Sequence, residues 1–106
     1  MVAAMSSVTG QAAGMADIAR MAQDAIERWL REYEGYRGLI VFTDEASERA
    51  RIITLWDTAQ AEARARRSRG AMRDQIAAVA GLVVEGLEVY DVPVFDVLPE
   101  RDDASP

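Results

Sequence analysis

The stretch from Gly35 to Thr58, GYRGLIVFTDEASERARIITLWDT, limits the fold more than any other part of this chain. It reads as two strands joined by a short polar turn, with apolar side chains on both faces. Leu39 and Val41 point one way on the first strand and Ile40 and Phe42 the other; on the second, Ile52 and Trp56 oppose Ile53 and Leu55. Successive side chains of a strand alternate between faces, so a sheet with one wet face alternates apolar and polar residues. This hairpin does not, and it must be covered on both sides. The remaining chain supplies enough helix for one cover, so the other is predicted to come from a second copy of the protein.

The elements around the hairpin follow in the order β, α, β, β, α, β. Val2 to Val8 forms a first strand of small residues. Gln11 to Tyr33 carries a helix whose Ile18, Ala22, Ala25, Trp29 and Tyr33 recur at steps of three and four, giving one apolar stripe. Gly35 and Gly38 end it and open the hairpin. Asp57 is the predicted N-cap of the second helix, with Gln60 completing a capping box. Ala61, Ala65, Met72, Ile76 and Val79 make its buried stripe, Gly70 predicts a kink, and Gly81 ends it. A long last strand is predicted from Gly86 to Leu98; Pro93 has no N–H for a ladder and belongs at an edge, a bulge or a crossover to a partner sheet. Residues 1–98 are thus one domain, and the polar stretch 99–106 is predicted to be a disordered tail.

This order predicts an α+β fold, a ferredoxin-like four-stranded antiparallel sheet with both helices on one face. The other face keeps its aliphatic side chains, and pairing two sheets face to face in a symmetric homodimer removes that apolar patch.

Composition narrows the chemistry by what it lacks. The chain has no His, Cys, Lys or Asn, and all 12 basic residues are Arg. A structural zinc site of the usual ligands, a thiol nucleophile, a Ser-His-Asp triad, a His-ligated haem and a lysine Schiff base all fall away. No metal site and no cofactor are predicted. The net charge of −6 argues against nucleic acid and anionic membranes as partners. No apolar run reaches the roughly 18 residues of a membrane span. A cytoplasmic protein is the expectation.

Gly35-Tyr36-Arg37-Gly38 before a hydrophobic strand, the strand end Ile53-Thr54-Leu55-Trp56, and the closing Val89-Tyr90-Asp91-Val92-Pro93-Val94 together resemble the dimeric α/β-barrel superfamily. More narrowly, they resemble its antibiotic-biosynthesis-monooxygenase-like (ABM) domains, over about Val2 to Leu98. The resemblance implies a dimeric α/β barrel and a ligand pocket between sheet and helices. It also implies a cofactor-independent monooxygenase or related tailoring enzyme acting on an aromatic, polyketide-like small molecule. Such a substrate, once deprotonated, passes an electron directly to oxygen. The protein need supply only an apolar pocket, a donor or cation for the aryloxide, and exclusion of water. Haem-degrading relatives use a His and an Asn, which this chain lacks, as it lacks the Asn often found in the oxygenase pocket.

On that pattern the catalytic candidates are Trp56, Tyr36 and Arg73, and the substrate-binding candidates are Trp29, Tyr33 and Trp56. Each has a plainer role beside it: the indoles as core packing, and the phenols of Tyr36 and Tyr90 as rings in the core with hydroxyls in water. Arg64, Arg66, Arg67, Arg69 and Arg73 form a basic run between Glu62 and Asp74. It suits an anionic ligand, with Arg73 nearest the apolar stripe, or else a solvated helix face paired with those acids. Arg37 and Arg51 are alternative guanidinium groups. Asp44, Glu45 and Glu48 are turn residues, and Asp91 becomes a general base only if a dimer seam buries it. The competing function is a non-catalytic dimeric module that binds a small apolar ligand or a protein partner.

Overall fold

A computed structural model describes residues 1–10, 19–20, 23–24, 27–44, 46–68 and 83–98. The strands are β1 (Val2–Thr9), β2 (Tyr36–Asp44), β3 (Arg49–Trp56) and β4 (Val83–Asp91). A helical segment ending in Glu27–Leu30 precedes β2, and a helix over 59–68 follows β3. All four strands form one antiparallel sheet in the order β2-β3-β1-β4, the ferredoxin-like arrangement expected from the βαββαβ order.

β1 lies in the middle of the sheet, and its Val2, Ala4, Ser6 and Val8 are buried while the residues between them are partly exposed. Those buried positions face the helices. At one end Val2 and Trp56 pack with Leu30, Ala61 and Ala65 from the two helical segments. At the other end Val8 and Ala50 pack with Val41, Ile52 and Val84. Alanines on helix 59–68 and small residues on β1 let helix and sheet approach closely, which favours them there over larger apolar residues.

Among the described residues little covers the opposite face. Ile40 pairs with Ile53, and Ala3 pairs with both Leu55 and Tyr90, which places these side chains together away from the helices. Phe42 and Tyr90 are about half exposed, Ile53 is partly buried and Leu55 is buried. The two-sided hairpin read from the sequence is present, with its inner face against helices and its outer face without cover among the described residues.

Three local expectations need correction. The N-cap of helix 59–68 is Thr58, whose Oγ1 accepts the Ala61 N–H at 3.1 Å. The Asp57 carboxylate instead pairs with Arg37 at 3.1 Å, so the capping box with Gln60 does not arise. A threonine bonds the same backbone donors as an aspartate, and the ion pair draws Asp57 outward. The last strand runs Val83–Asp91, not from Gly86 to Leu98. Gly86, with φ of +67°, sits inside it at a bulge opposite Met5 and Ser7, because a glycine there takes a left-handed conformation at little cost. The Val92 N–H still bonds Met1 O at 3.0 Å, and pairing stops before Pro93. Gly70, Met72, Ile76, Val79, Gly81, the start of the first helix and the tail 99–106 lie outside the described residues.

Candidate functional site

The site begins where the first helical segment turns into β2. Leu30 drives into the core, and Gly35, at φ +85°, reverses the chain after Tyr33 and Glu34. A Cβ on Gly35 would lie 2.6 Å from Ala61 Cβ, so this turn can press against helix 59–68 only as glycine. The Asp57 N–H bonds Gly35 O at 2.8 Å and ties the turn to the end of β3.

β2 then opens with a register shift between Tyr36 and Gly38. Residues 36 and 39 would lie on opposite faces of a regular strand; the bulge puts Tyr36 on the helix-covered face with Leu39 and Trp56. Four aromatic residues meet there edge to face. Ring centroids lie 5.5 Å apart for Trp29 and Tyr33, 6.4 Å for Tyr33 and Trp56, and 5.6 Å for Tyr36 and Trp56. Such contacts fix ring orientation as well as burying area.

Within this group the polar atoms differ. The Trp56 indole is fully buried and its N–H donates to Thr54 Oγ1 at 2.8 Å. Tyr33 Oη lies 3.1 Å from Ser68 Oγ, linking the two helical segments. The Tyr36 hydroxyl is buried and has no hydrogen-bond partner among the described residues. Burial, and secondarily the negative charge of Glu27, hold its pKa above the ordinary 10.0, while Arg31 acts weakly in the other direction.

Beside this cluster, between the first helical segment and the edge strand β2, lies an open cleft of about 420 Å³. Among the described residues Leu39 and Val41 form its floor, and Ala19, Gln23 and Glu27 its helical wall. Glu27 Oε1 accepts a 2.6 Å bond from Arg31 Nε, one turn on. The cleft therefore has an apolar floor and an amide and a carboxylate on one wall; Tyr36 is not among its described lining residues, though its hydroxyl feels the charge of Glu27.

Trp29, Tyr33, Tyr36 and Trp56 are thus brought together; Arg73 lies outside the described residues. Of the basic run, Arg66 pairs at 3.2 Å with Glu62, which is buried rather than on a solvated face, and Arg64 approaches Glu34 at 3.6 Å. Arg37 is engaged by Asp57, and Arg51 points at the Met5 sulfur on the outer face. Tyr90 is also on the outer face, its hydroxyl bonded to Glu88, and Asp91 is exposed at the end of β4. Gln23 and Glu27 were not singled out in the sequence. The only signal was a polar pair four residues apart beside the Ala22–Trp29 stripe, a spacing common on solvated helix faces. Among the described residues no group of His, Cys, Asp and Glu side chains could hold a metal ion, and no helix is long and apolar enough to cross a membrane.

No protein-family model and no curated protein sequence matches the chain. Solved structures do match its fold. A candidate antibiotic biosynthesis monooxygenase from Deinococcus radiodurans superposes with a TM-score of 0.69 at 14% identity, over 93% of this chain and 100% of that one. The monooxygenase of the ActVA-Orf6 gene of Streptomyces coelicolor, solved with the ligand nanaomycin D, gives 0.65 at 17%, over 93% and 91%. SnoaB, a cofactor-independent oxygenase of Streptomyces nogalater, gives 0.61 at 19%, over 93% and 97%. The chain has the fold of the ABM-domain proteins, and at these identities the likeness is one of fold.

Proposed function

We propose that this protein is a cofactor-independent monooxygenase of electron-rich aromatic small molecules, working as a homodimer with its substrate in the cleft between β2 and the first helical segment. The observation that carries this reading is a cleft with an apolar floor near a buried phenol oxygen that has no hydrogen-bond partner among the described residues. An orphan buried hydroxyl is costly to keep, and a ligand oxygen can supply the missing bond. That the fold is shared with oxygenases supports the reading.

In this reaction the substrate loses a hydroxyl or enol proton, and the resulting aryloxide gives one electron to dioxygen. The two radicals combine at carbon, and loss of water leaves a carbonyl: a methylene plus dioxygen becomes a carbonyl plus water. The protein's part is to hold the ring, exclude water and stabilise the oxyanion. Tyr36 Oη is the donor for that oxyanion. Trp29 and Tyr33 extend the aromatic surface beside the ligand. Trp56, whose N–H is committed to Thr54, sets the orientation of Tyr36. Arg73, outside the described residues, stays a candidate cation on the sequence alone.

Gently purified protein should carry an aromatic mass in native mass spectrometry and consume oxygen stoichiometrically with an anthrone. Tyr36→Phe should lower turnover about a hundredfold, the usual scale for one oxyanion donor. Empty protein with no oxygen uptake would leave the other function, a non-catalytic dimeric module that binds an apolar ligand or a protein partner.

A further inference from the structure

The outer face of the sheet carries its charge unevenly on the two sides of β1. β1 itself contributes only the uncharged Ala3, Met5, Ser7 and Thr9 to this face. On β3, Arg51 stands opposite Ser7, and its Nη1 rests 4.0 Å from the Met5 sulfur. On β4, Glu85 stands opposite Ser7 and Glu88 opposite Met5, and the Tyr90 hydroxyl donates to Glu88 Oε2. Residues directly opposite in a ladder share a face, and two strand spacings put Arg51 about 10 Å from the acids. Among the described residues no carboxylate pairs with Arg51 and no cation with Glu85 or Glu88. Arg49, further along β3, is opposite Asp44 on β2 and is offset there.

A charge left alone under an apolar cover is costly, so whatever covers this face must pair these groups. The face can do that for itself. Two sheets packed face to face are related by a two-fold axis lying between them. An axis across the strands would lay β3 on β3 and β4 on β4, setting like charges together. An axis along β1 lays β3 of one copy over β4 of the other, and it does so twice. The sheets then stand about 10 Å apart, a gap that an arginine and a glutamate side chain span together. We infer that the dimer axis runs along β1, and that Arg51 of each copy pairs with Glu85 and Glu88 of the other. This inference rests on the homodimer of the proposed function and adds which strands meet and which charges fix their register.

Sedimentation velocity on charge-reversed variants tests it. Arg51→Glu, and separately Glu85→Arg combined with Glu88→Arg, should each weaken self-association at least about a hundredfold, because like charges then meet twice in the seam. Mixed in equal amounts, the two variants should form a heterodimer of near wild-type affinity, since both contacts regain opposite charges. A pairing within one chain would not be restored by mixing. Urea midpoints report the folding of each variant; Arg51→Gln, which adds no repulsion, should still weaken the dimer about tenfold. Variants that dimerise as tightly as the wild-type protein, or a mixture that stays monomeric, overturn the axis and its charge pairs and leave the dimer standing. A monomeric wild-type protein overturns them together with the dimer.

Discussion

Tyr36 shows how much can depend on one residue's surroundings. Its ring packs on Trp56 while its hydroxyl is buried with no partner among the described residues. Replacing it with Phe keeps the ring and removes the unsatisfied group, so Tyr36→Phe should be at least as stable as the wild-type protein at neutral pH while losing turnover. The hydroxyl also sets an alkaline limit. Burial and the charge of Glu27 raise its folded pKa above the ordinary 10.0, so the folded state holds this proton more tightly than the unfolded chain. The resulting stability is complete below pH 10.0 and is lost as pH rises through the folded pKa. Urea unfolding between about pH 9 and about pH 11 should show a decline that is smaller in Tyr36→Phe. Identical pH profiles would mean that the hydroxyl is solvated. That Tyr36 belongs with Trp56 was readable from its place before the strand. Its freedom to bond a ligand was not, because that depends on which polar atoms surround it after packing.

At the scale of elements, two glycines with similar backbone angles meet different demands. Gly35 combines φ of +85° with the close approach of Ala61, whereas Gly86 has φ of +67° and open space around it. Gly35→Ala should therefore cost about 3 kcal/mol, strain plus a backbone shift, and Gly86→Ala only about 1 kcal/mol of strain. Chemical denaturation of the two variants separates these cases; equal losses would show that the contact with helix 59–68 relaxes freely. The sequence marked Gly35 as a helix stop, which it is, and placed Gly86 at a strand start, which it is not. A glycine signals that a left-handed residue is tolerated. Whether it serves a turn or a bulge depends on the register of the neighbouring strand. The same holds for Asp57 and Thr58: either could cap the helix, and Arg37 across the sheet end decided between them.

For the whole molecule, the outer sheet face is the main unfinished surface. Ile40, Phe42 and Tyr90 are exposed around the partly buried Ile53. Beyond Asp91 the segment through Val94, Phe95, Val97 and Leu98 is also exposed, an apolar run with no cover from the described residues of its own chain. A second copy, sheet to sheet with this segment laid along the neighbour, would bury both. Sedimentation velocity at micromolar concentration should show a dimer, and Ile53→Glu with Phe42→Glu should convert it to a monomer by placing unpaired carboxylates in the seam. A monomeric wild-type protein would overturn the dimer, and with it the reason for so apolar an outer face.

The sequence by itself determined the order of elements, the antiparallel sheet and the two-sided hairpin, because strand and helix periodicities are local and the apolar residues of 35–58 repeat on both faces. It also placed Trp29 and Tyr33 on the inner stripe of the first helix and Trp56 at the end of a strand, whereas Tyr36 joins them only through the bulge that opens β2. Only the tertiary structure decided that Trp56 spends its N–H on Thr54 while the Tyr36 hydroxyl has no partner among the described residues, and that Gln23 and Glu27 line a cleft over Leu39 and Val41. The reason is physical. A cleft is the space left between elements and a free hydrogen bond is a bond not made; both depend on how the helical segment sits on the edge strand, which no local pattern encodes.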